Sequence, residues 1–275
     1  MTASRTLVLG LVVAAVAAST GADLAVDPQA QNAGDDGSKS TTCAGLPSRG
    51  ELKDALSSAR EQADDGSNLP MWATLVNRDG VVCAVVFSGI DWGDDLPEGR
   101  VLSAQKANTA NAFSLPGLAL ATANLYSAVQ PGGSLYGLQH SDPVNTDVAE
   151  RGPSTQFGTE VDPMLGHRIG GVNVFGGGLA LYAAYNNIPE LAGAIGVSGD
   201  TPCADHNNAW QIRHALGLDH VPPGVSGDSA RPDNIVYDIT HRSGEQNGVS
   251  ESGWGHPECT PGATATASAL PPTRP

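Results

Sequence analysis

The stretch Asp200–His206 carries the densest set of chemically active side chains in the sequence. It stands where a glycine-rich apolar run ends and a helical pattern begins. Thr201 and Pro202 suit the N-cap and the first position of that helix, and Cys203 suits one half of a disulfide. The free backbone N–H groups of such a helix start favour a carboxylate or a propionate. Asp205, in the first turn, is favourable with the helix dipole.

His206 is the residue that a capped helix does not explain. The dipole disfavours a charged imidazole here, and a neutral imidazole is a good metal ligand. Trp210 and His214 follow at intervals of four residues, so the three share one helix face, either a wall for a flat ligand or a packing stripe. Lys106, on another predicted helix, either pairs with an anionic ligand or faces solvent. The candidate binding residues are therefore Thr201, His206, Lys106 and Trp210, with His206 as metal ligand and no catalytic residue.

Three further functional motifs are not supported by the sequence around their candidate residues. The glycines of "GGVNVFGGG" lie between predicted strands and not before a helix, which argues against a phosphate loop. "GVSGD" lacks the last glycine of a nucleophile elbow and the strand order that such an elbow needs. No H-E-x-x-H is present around His206, so the sequence does not indicate a zinc hydrolase.

The N-terminus predicts the compartment. Arg5 precedes the apolar "TLVLGLVVAAVAA", a run of signal-peptide length, and "TGA" ending at Ala22 or "AVA" ending at Ala17 is the expected cleavage site. We expect residues 1–22 to be a signal peptide, residues 23–42 a disordered leader, and the protein to be secreted or periplasmic. A net charge of −15 argues against nucleic acid or an anionic membrane as a partner.

Hydrophobic periodicity predicts the elements that position these residues. A helix is expected after Ser48, with Glu51 completing a capping box and Gly66 ending it. "MWATLVNRDGVVCAVVFSG" predicts a hairpin that turns at Asp-Gly. "RVLSAQKANTANAFSL" predicts a second helix, and after Pro116 "LALATANLYSAVQ" predicts another. No element is expected over 131–168.

The second half of the chain predicts three more strands, at 171–175, 178–184 and 191–198, and a helix at 203–216 that Gly217 closes. "DNIVYDI" predicts an edge strand in an otherwise proline- and glycine-rich tail. Five antiparallel strands with helices outside give an α+β fold. We expect a domain over 43–220 with an insertion at about 116–168, followed by a tail over 221–275.

Four cysteines in an exported chain indicate disulfides, for which three pairings exist. Cys43 precedes the first helix and Cys83 begins the strand that runs parallel to it, so we expect these two to pair. Cys203 and Cys259 would then fasten the tail to the last helix. Ligation of a metal by all four is the rival interpretation, but no C-x-x-C pair is present.

Over residues 46–217 the chain resembles the GlcG/HbpS haem-binding family. The resemblance is carried by "VNRDGVVCAVVFSG", by "SAQKANTANAFS", and by "GGVNVFGGGLALY" with "LAGAIGVSGDT". It implies a profilin-like fold, frequent homo-oligomers, and binding of haem, related tetrapyrroles or iron. It implies Thr201 as a haem-side residue and places Lys106 in the family's helix motif, while His206 is an alternative axial ligand particular to this chain. The insertion, "CADHNNAW" and the cysteine-bearing tail depart from the shorter members.

These observations predict a secreted, non-enzymatic protein that sequesters or senses haem or iron. Two other classes stay open. One is a disulfide-stapled structural or interaction module, whose sheet edge or 131–168 loop meets a protein partner. The other is a small-molecule enzyme with an anion site at Thr201 and Lys106.

Overall fold

The computed structural model describes residues 41–62, 65–186, 188–241 and 248–275. The predicted signal peptide and nearly all of the predicted leader lie outside these ranges. The main sheet is antiparallel, with strand order β2-β1-β4-β3. Its strands are β1 (Trp72–Asn77), β2 (Val82–Phe87), β3 (Gly178–Tyr185) and β4 (Ile188–Ser198). The helices are α1 (Arg49–Ala59), α2 (Gly99–Phe113), α3 (Leu138–Ser141), α4 (Thr146–Ala149), α5 (Pro202–Ala215) and α6 (Ala263–Ala269).

Both faces of the sheet are covered by helices. Side chains of β1 alternate between two apolar clusters: Ala73 and Leu75 pack with α1 and α5, whereas Trp72 and Val76 pack with α2. Because both faces of the sheet are buried, its strands are largely continuous apolar sequences. The result is a mixed α/β fold with helices flanking an antiparallel sheet, as predicted at that level.

The predicted start of α1 is confirmed. The Ser48 Oγ accepts from the Glu51 backbone N–H, and the Glu51 carboxylate accepts from the Ser48 N–H, so the capping box is confirmed. The helix ends at Ala59 and not at Gly66, which is a correction. The backbone N–H groups of Glu61 and Gln62 donate to the carbonyls of Ser58 and Ala59, three residues back, so the helix tightens into a turn there.

The prediction of five strands is wrong, because residues 171–175 form no strand. The Asn173 N–H donates to the Thr109 hydroxyl of α2, 2.9 Å away, and the Gly171 carbonyl accepts from Asn108 of the same helix. Gly171 also has a φ of +77°, which breaks an extended strand. Side chains of α2 therefore satisfy the backbone groups that a strand partner would otherwise take.

Three other predictions differ. Residues 131–168, where no element is expected, contain α3, α4 and a 3₁₀ turn at Ser154–Gln156. The helix expected after Pro116 consists of single 3₁₀ turns at Thr122–Leu125 and Ser127–Val129. "DNIVYDI" contributes only β5 (Ile239–Thr240), which pairs with β6 (Val249–Ser250) in a separate small sheet and not with the main one.

Both expected disulfides are present, Cys43–Cys83 and Cys203–Cys259. Ligation of a metal by all four cysteines is thereby ruled out.

Among the described residues, no helix combines the length and the apolar character needed to cross a membrane.

Candidate functional site

The start of α5 forms as its sequence predicts. Thr201 is the N-cap, and its hydroxyl accepts from the Ala204 N–H at 3.2 Å. Pro202 occupies the first turn, and the helix ends at Ala215 with Gly217 just beyond, at a φ of +69°. The Thr201 side chain is half-buried, so the entrance of this helix is only partly open to solvent.

Lys106 neither faces solvent nor offers a free charge. Its Nζ lies 2.6 Å from Asp205 Oδ2 and 3.0 Å from the Val197 carbonyl, and both partners of the ion pair are about 2% exposed. Gly196 lets α2 pack closely against β4, because a Cβ at that position would stand 1.9 Å from the Ser103 carbonyl oxygen. Burial raises the pKa of Asp205 to about 6, against the opposing effect of Lys106.

His206 is fully buried. Its Nε2 lies 3.1 Å from Asn234 Oδ1 and 3.2 Å from the Ile235 backbone N–H donor, and its Nδ1 has no hydrogen-bond partner among the described residues. Burial lowers the pKa of His206 to about 4, so the ring is neutral at physiological pH. A neutral, fixed imidazole with a free ring nitrogen has the properties of a metal ligand.

Trp210 is also buried, one turn further along α5. Its ring centroid is 6.1 Å from that of His206, and its Nε1 donates to the Pro271 carbonyl at 2.9 Å. His214 does not extend this face, since its Nδ1 is 2.7 Å from Asp219. The three-residue stripe expected from the spacing is therefore divided between two environments.

Residues 219–275, here named the C-terminal segment, cover this part of α5. Cys259 bonds Cys203. Asp233 forms a fully buried ion pair with Arg213, at 2.6 Å. The predicted tail is thus a packed layer and not a loose strap. No pattern in the sequence pointed to Asp233 or Asn234, because each contact joins single residues far apart in the chain.

Two clefts of about 390 and 370 Å³ stand out on the described surface. The first is lined by residues between Val221 and Pro232, and the second by α1 together with the end of α5. Neither is lined by Thr201, Lys106, His206 or Trp210. Within the described ranges, no group of three or more His, Cys, Asp or Glu side chains is arranged to hold a metal ion.

A protein-family model described as "Haem degrading protein HbpS-like" matches residues 50–212. The matched region contains all four candidate residues and ends before the C-terminal segment. No curated protein matches the chain.

Three solved structures resemble it, each over 60% of this chain. The ORFY protein of Klebsiella pneumoniae is 24% identical, with 87% of that chain covered and a TM-score of 0.39. A PduOC:haem complex is 24% identical, with 89% covered and a TM-score of 0.40. A double mutant of HbpS from Streptomyces reticuli is 16% identical, with 84% covered and a TM-score of 0.36.

Proposed function

The chain belongs to the HbpS-like haem degrading protein family, and from this premise we propose that it binds haem or a closely related flat, acidic tetrapyrrole. The observation that carries the proposal is the family match over residues 50–212. We propose Thr201, His206, Lys106 and Trp210 as the binding residues, with His206 as the iron ligand. The unpartnered Nδ1 of His206 supports this assignment.

With the C-terminal segment in place, His206 and Trp210 are inaccessible to a haem, and Lys106 is buried by contacts within the domain itself. His206 has no exposed surface, the Trp210 indole is bonded to the Pro271 carbonyl, and Lys106 is paired with Asp205. A haem can reach His206 only after the segment moves away from α5. We therefore propose that haem binding and displacement of the C-terminal segment are coupled, with the segment reducing the apparent affinity.

We propose binding for sequestration or sensing, without turnover. The matched family is described by haem degradation, so the fate of the haem has to be followed as well as its binding. The competing small-molecule enzyme at Thr201 and Lys106 is less well supported, because Asp205 already neutralises the Lys106 charge.

Secretion or a periplasmic location remains a proposal, supported by two disulfides, which persist in oxidising compartments. Homo-oligomers and a profilin-like fold are likewise proposed from family resemblance. Size-exclusion chromatography with light scattering tests the oligomer, and a strictly monomeric mass would contradict it.

Haem titration of the full chain, followed in the Soret region, tests the function. We expect a saturable band with wild type that is lost in His206→Ala and in Thr201→Ala. His140→Ala, at an exposed histidine of α3, is the matched control and should bind like wild type. A decay of the band over time would indicate turnover.

Two results would overturn parts of the proposal. No saturable band at micromolar protein would reject haem binding and favour the disulfide-stapled interaction module. A band that persists in both variants would keep haem as the ligand but reject the α5 site.

A further inference from the structure

The disulfide between α5 and the C-terminal segment has two unlike ends. Cys203 is fully buried as the second residue of α5, whereas Cys259 belongs to the segment and is partly exposed. A disulfide opens when a thiolate attacks one sulfur atom and the other sulfur leaves with the bonding electrons. A thiol arriving from solvent can approach Cys259 and not Cys203. The burial of the two residues therefore makes Cys259 the point of attack and Cys203 the leaving sulfur.

The start of α5 suits a sulfur that leaves with a negative charge. The helix is 14 residues long and directs the positive end of its dipole towards its first turn, which contains Cys203. A helix N-terminus favours the thiolate form of a cysteine. The backbone N–H of Cys259 also donates to Cys203 Sγ, at 3.2 Å. These groups offset the cost of placing a charge on a buried sulfur.

The carboxylates on either side of Cys203 are already engaged. Asp205 forms its ion pair with Lys106. The Asp200 carboxylate accepts hydrogen bonds from three backbone N–H groups. Neither carboxylate is therefore left unpaired to repel a thiolate that forms at Cys203.

The other disulfide has a different setting. Cys43 and Cys83 are both partly exposed, so neither end is protected as Cys203 is. Cys43 ends a three-residue 3₁₀ turn and Cys83 lies within β2, so neither sulfur stands at the start of an α-helix. Since a better-stabilised leaving thiolate departs faster, the bond at α5 should open before this one.

The surface around Cys259 selects the charge of the attacking thiol. Glu258 precedes Cys259 and is exposed. On the other side, the Thr260 hydroxyl donates to the carboxylate of Asp65. Charges at an exposed site act over about 10 Å at 0.1 M salt. These two carboxylates repel an anionic thiol and do not repel a neutral or cationic one.

We propose that Cys203–Cys259 is a thiol-exchange site that takes a neutral or cationic thiol at Cys259. The thiolate bonds to Cys259 Sγ, the Cys203–Cys259 bond breaks, and its electron pair leaves on Cys203 Sγ, which then takes up a proton. A second thiol attacks the mixed disulfide, releases Cys259 as a thiol, and departs joined to the first. Two small thiols are oxidised for each protein disulfide that is reduced.

Exchange at this site loosens the C-terminal segment without detaching it. The covalent link to α5 is lost, while the Arg213–Asp233 ion pair and the hydrogen bond from Trp210 to Pro271 remain. Because the segment covers His206, a loosened segment admits haem more readily. That consequence rests on the proposed haem function, whereas the chemistry at Cys259 does not, so the two can fail separately.

The test treats the oxidised wild type with three thiols of similar size: cysteamine (cationic), 2-mercaptoethanol (neutral) and 2-mercaptoethanesulfonate (anionic). Acid quenching, alkylation and peptide mass spectrometry locate each product. We expect the first adduct on Cys259, with Cys203 alkylated. The bond at α5 should open roughly 2–30-fold faster than Cys43–Cys83, the range that a helix terminus gives a charge in its first turn.

Rates expressed per thiolate test the charge preference. The anionic thiol should be the slowest of the three, and its disadvantage should fade at 1 M salt, where charges are screened within about 3 Å. Glu258→Gln should reduce that disadvantage. Asp54→Asn is the matched control, because Asp54 is an exposed carboxylate beside the far end of α5, and it should behave like wild type.

Three results would overturn the proposal. They are a first adduct on Cys203, a Cys43–Cys83 bond that opens first, and equal rates per thiolate for all three thiols.

The effect on the segment is measured separately. Thiol-treated wild type should become sensitive to protease within the C-terminal segment and should take up haem at the rate of Cys203→Ser with Cys259→Ser. Unchanged protease sensitivity would contradict the loosening. A chain that takes up no haem before or after treatment contradicts the haem function alone, since the adduct and the cleavage are measured without haem.

Discussion

The family-matched domain and the C-terminal segment are held in place by different means. The domain depends on strand ladders and on two apolar layers repeated along α1, α2 and α5. The regular elements of the segment are the small strands β5 and β6 and the seven-residue α6. Its position is set by a disulfide, a buried ion pair, single bonds such as that from the Trp210 indole to the Pro271 carbonyl, and a small apolar cluster in which Ile235, Ala263 and Ala267 pack with Cys203.

The difference indicates which part of the molecule can move alone. Repeated contacts make the domain cooperative, whereas a layer attached at separate points can open locally below the free energy of global unfolding. We therefore expect the segment to open from α5 more readily than the main sheet opens. Substitutions in the domain and in the segment test this difference.

Removing the carboxylate of either fully buried arginine pair should have the largest effect. Asp233→Ala in the segment and Asp162→Ala beside α2 each leave an arginine buried without its counter-charge. The expected loss is about 3–5 kcal/mol of unfolding free energy in each case, measured by urea denaturation.

Hydrogen exchange then separates the two variants. Asp233→Ala should speed exchange within the segment far more than within the main sheet. Equal acceleration in both regions would show that the segment and the domain unfold together, against the contrast drawn above.

Loss of a disulfide should cost somewhat less. The loops closed by Cys43–Cys83 and Cys203–Cys259 span 40 and 56 residues, so each bond should contribute a similar amount, about 2–4 kcal/mol. Melting of the paired serine variants, Cys43→Ser with Cys83→Ser and Cys203→Ser with Cys259→Ser, checks this. The second pair alone should make the segment sensitive to protease. Melting that reduction leaves unchanged would contradict both bonds.

Protonation of His256 in the segment and of Asp205 in the domain should affect stability with opposite sign. Burial lowers the pKa of His256 to about 4, so its contribution to stability is complete above the unfolded pKa of 6.5 and is lost as pH falls toward 4. Relative to His256→Gln, wild type should lose roughly 3 kcal/mol over that range. Burial raises the pKa of Asp205 to about 6, so its contribution is present at low pH and lost as pH rises through 6.

Denaturation of wild type, His256→Gln and Asp205→Asn at pH 4, 5, 6 and 7 measures both slopes. The contrast fails if the two variants change the pH dependence in the same direction.

Helix caps should give the smallest effects. Ser48→Ala and Thr201→Ala each remove a side-chain acceptor from a helix start, at a cost of about 1 kcal/mol. Because both caps belong to the domain, neither change should alter protease sensitivity of the segment. Selective cleavage of the segment in Thr201→Ala would show that the start of α5 also helps to hold it.

Sequence patterns predicted what neighbouring residues determine. The capping box at Ser48, the hairpin turn at Gly80 and the start of α5 at Thr201 each depend on fewer than five consecutive residues, and each was predicted correctly. The Cys43–Cys83 bond followed from where these elements place its cysteines, and Cys203–Cys259 followed as the remaining pair.

Contacts between distant residues were not predictable in this way. The strand expected at 171–175 is absent because the backbone N–H of Asn173 donates to the hydroxyl of Thr109 on α2. Lys106 forms an ion pair with Asp205, which lies 99 positions away in the sequence. The closure of α5 by the C-terminal segment likewise depends on bonds such as His206 to Asn234, which no periodicity reveals.

The most direct test of the account is the rate at which haem enters. Stopped-flow mixing with increasing haem should show a Soret signal whose rate levels off in wild type, because the segment must first leave α5. Cys203→Ser with Cys259→Ser should level off at a higher rate. A rate that rises in proportion to haem concentration and is identical in both proteins would show that entry needs no opening.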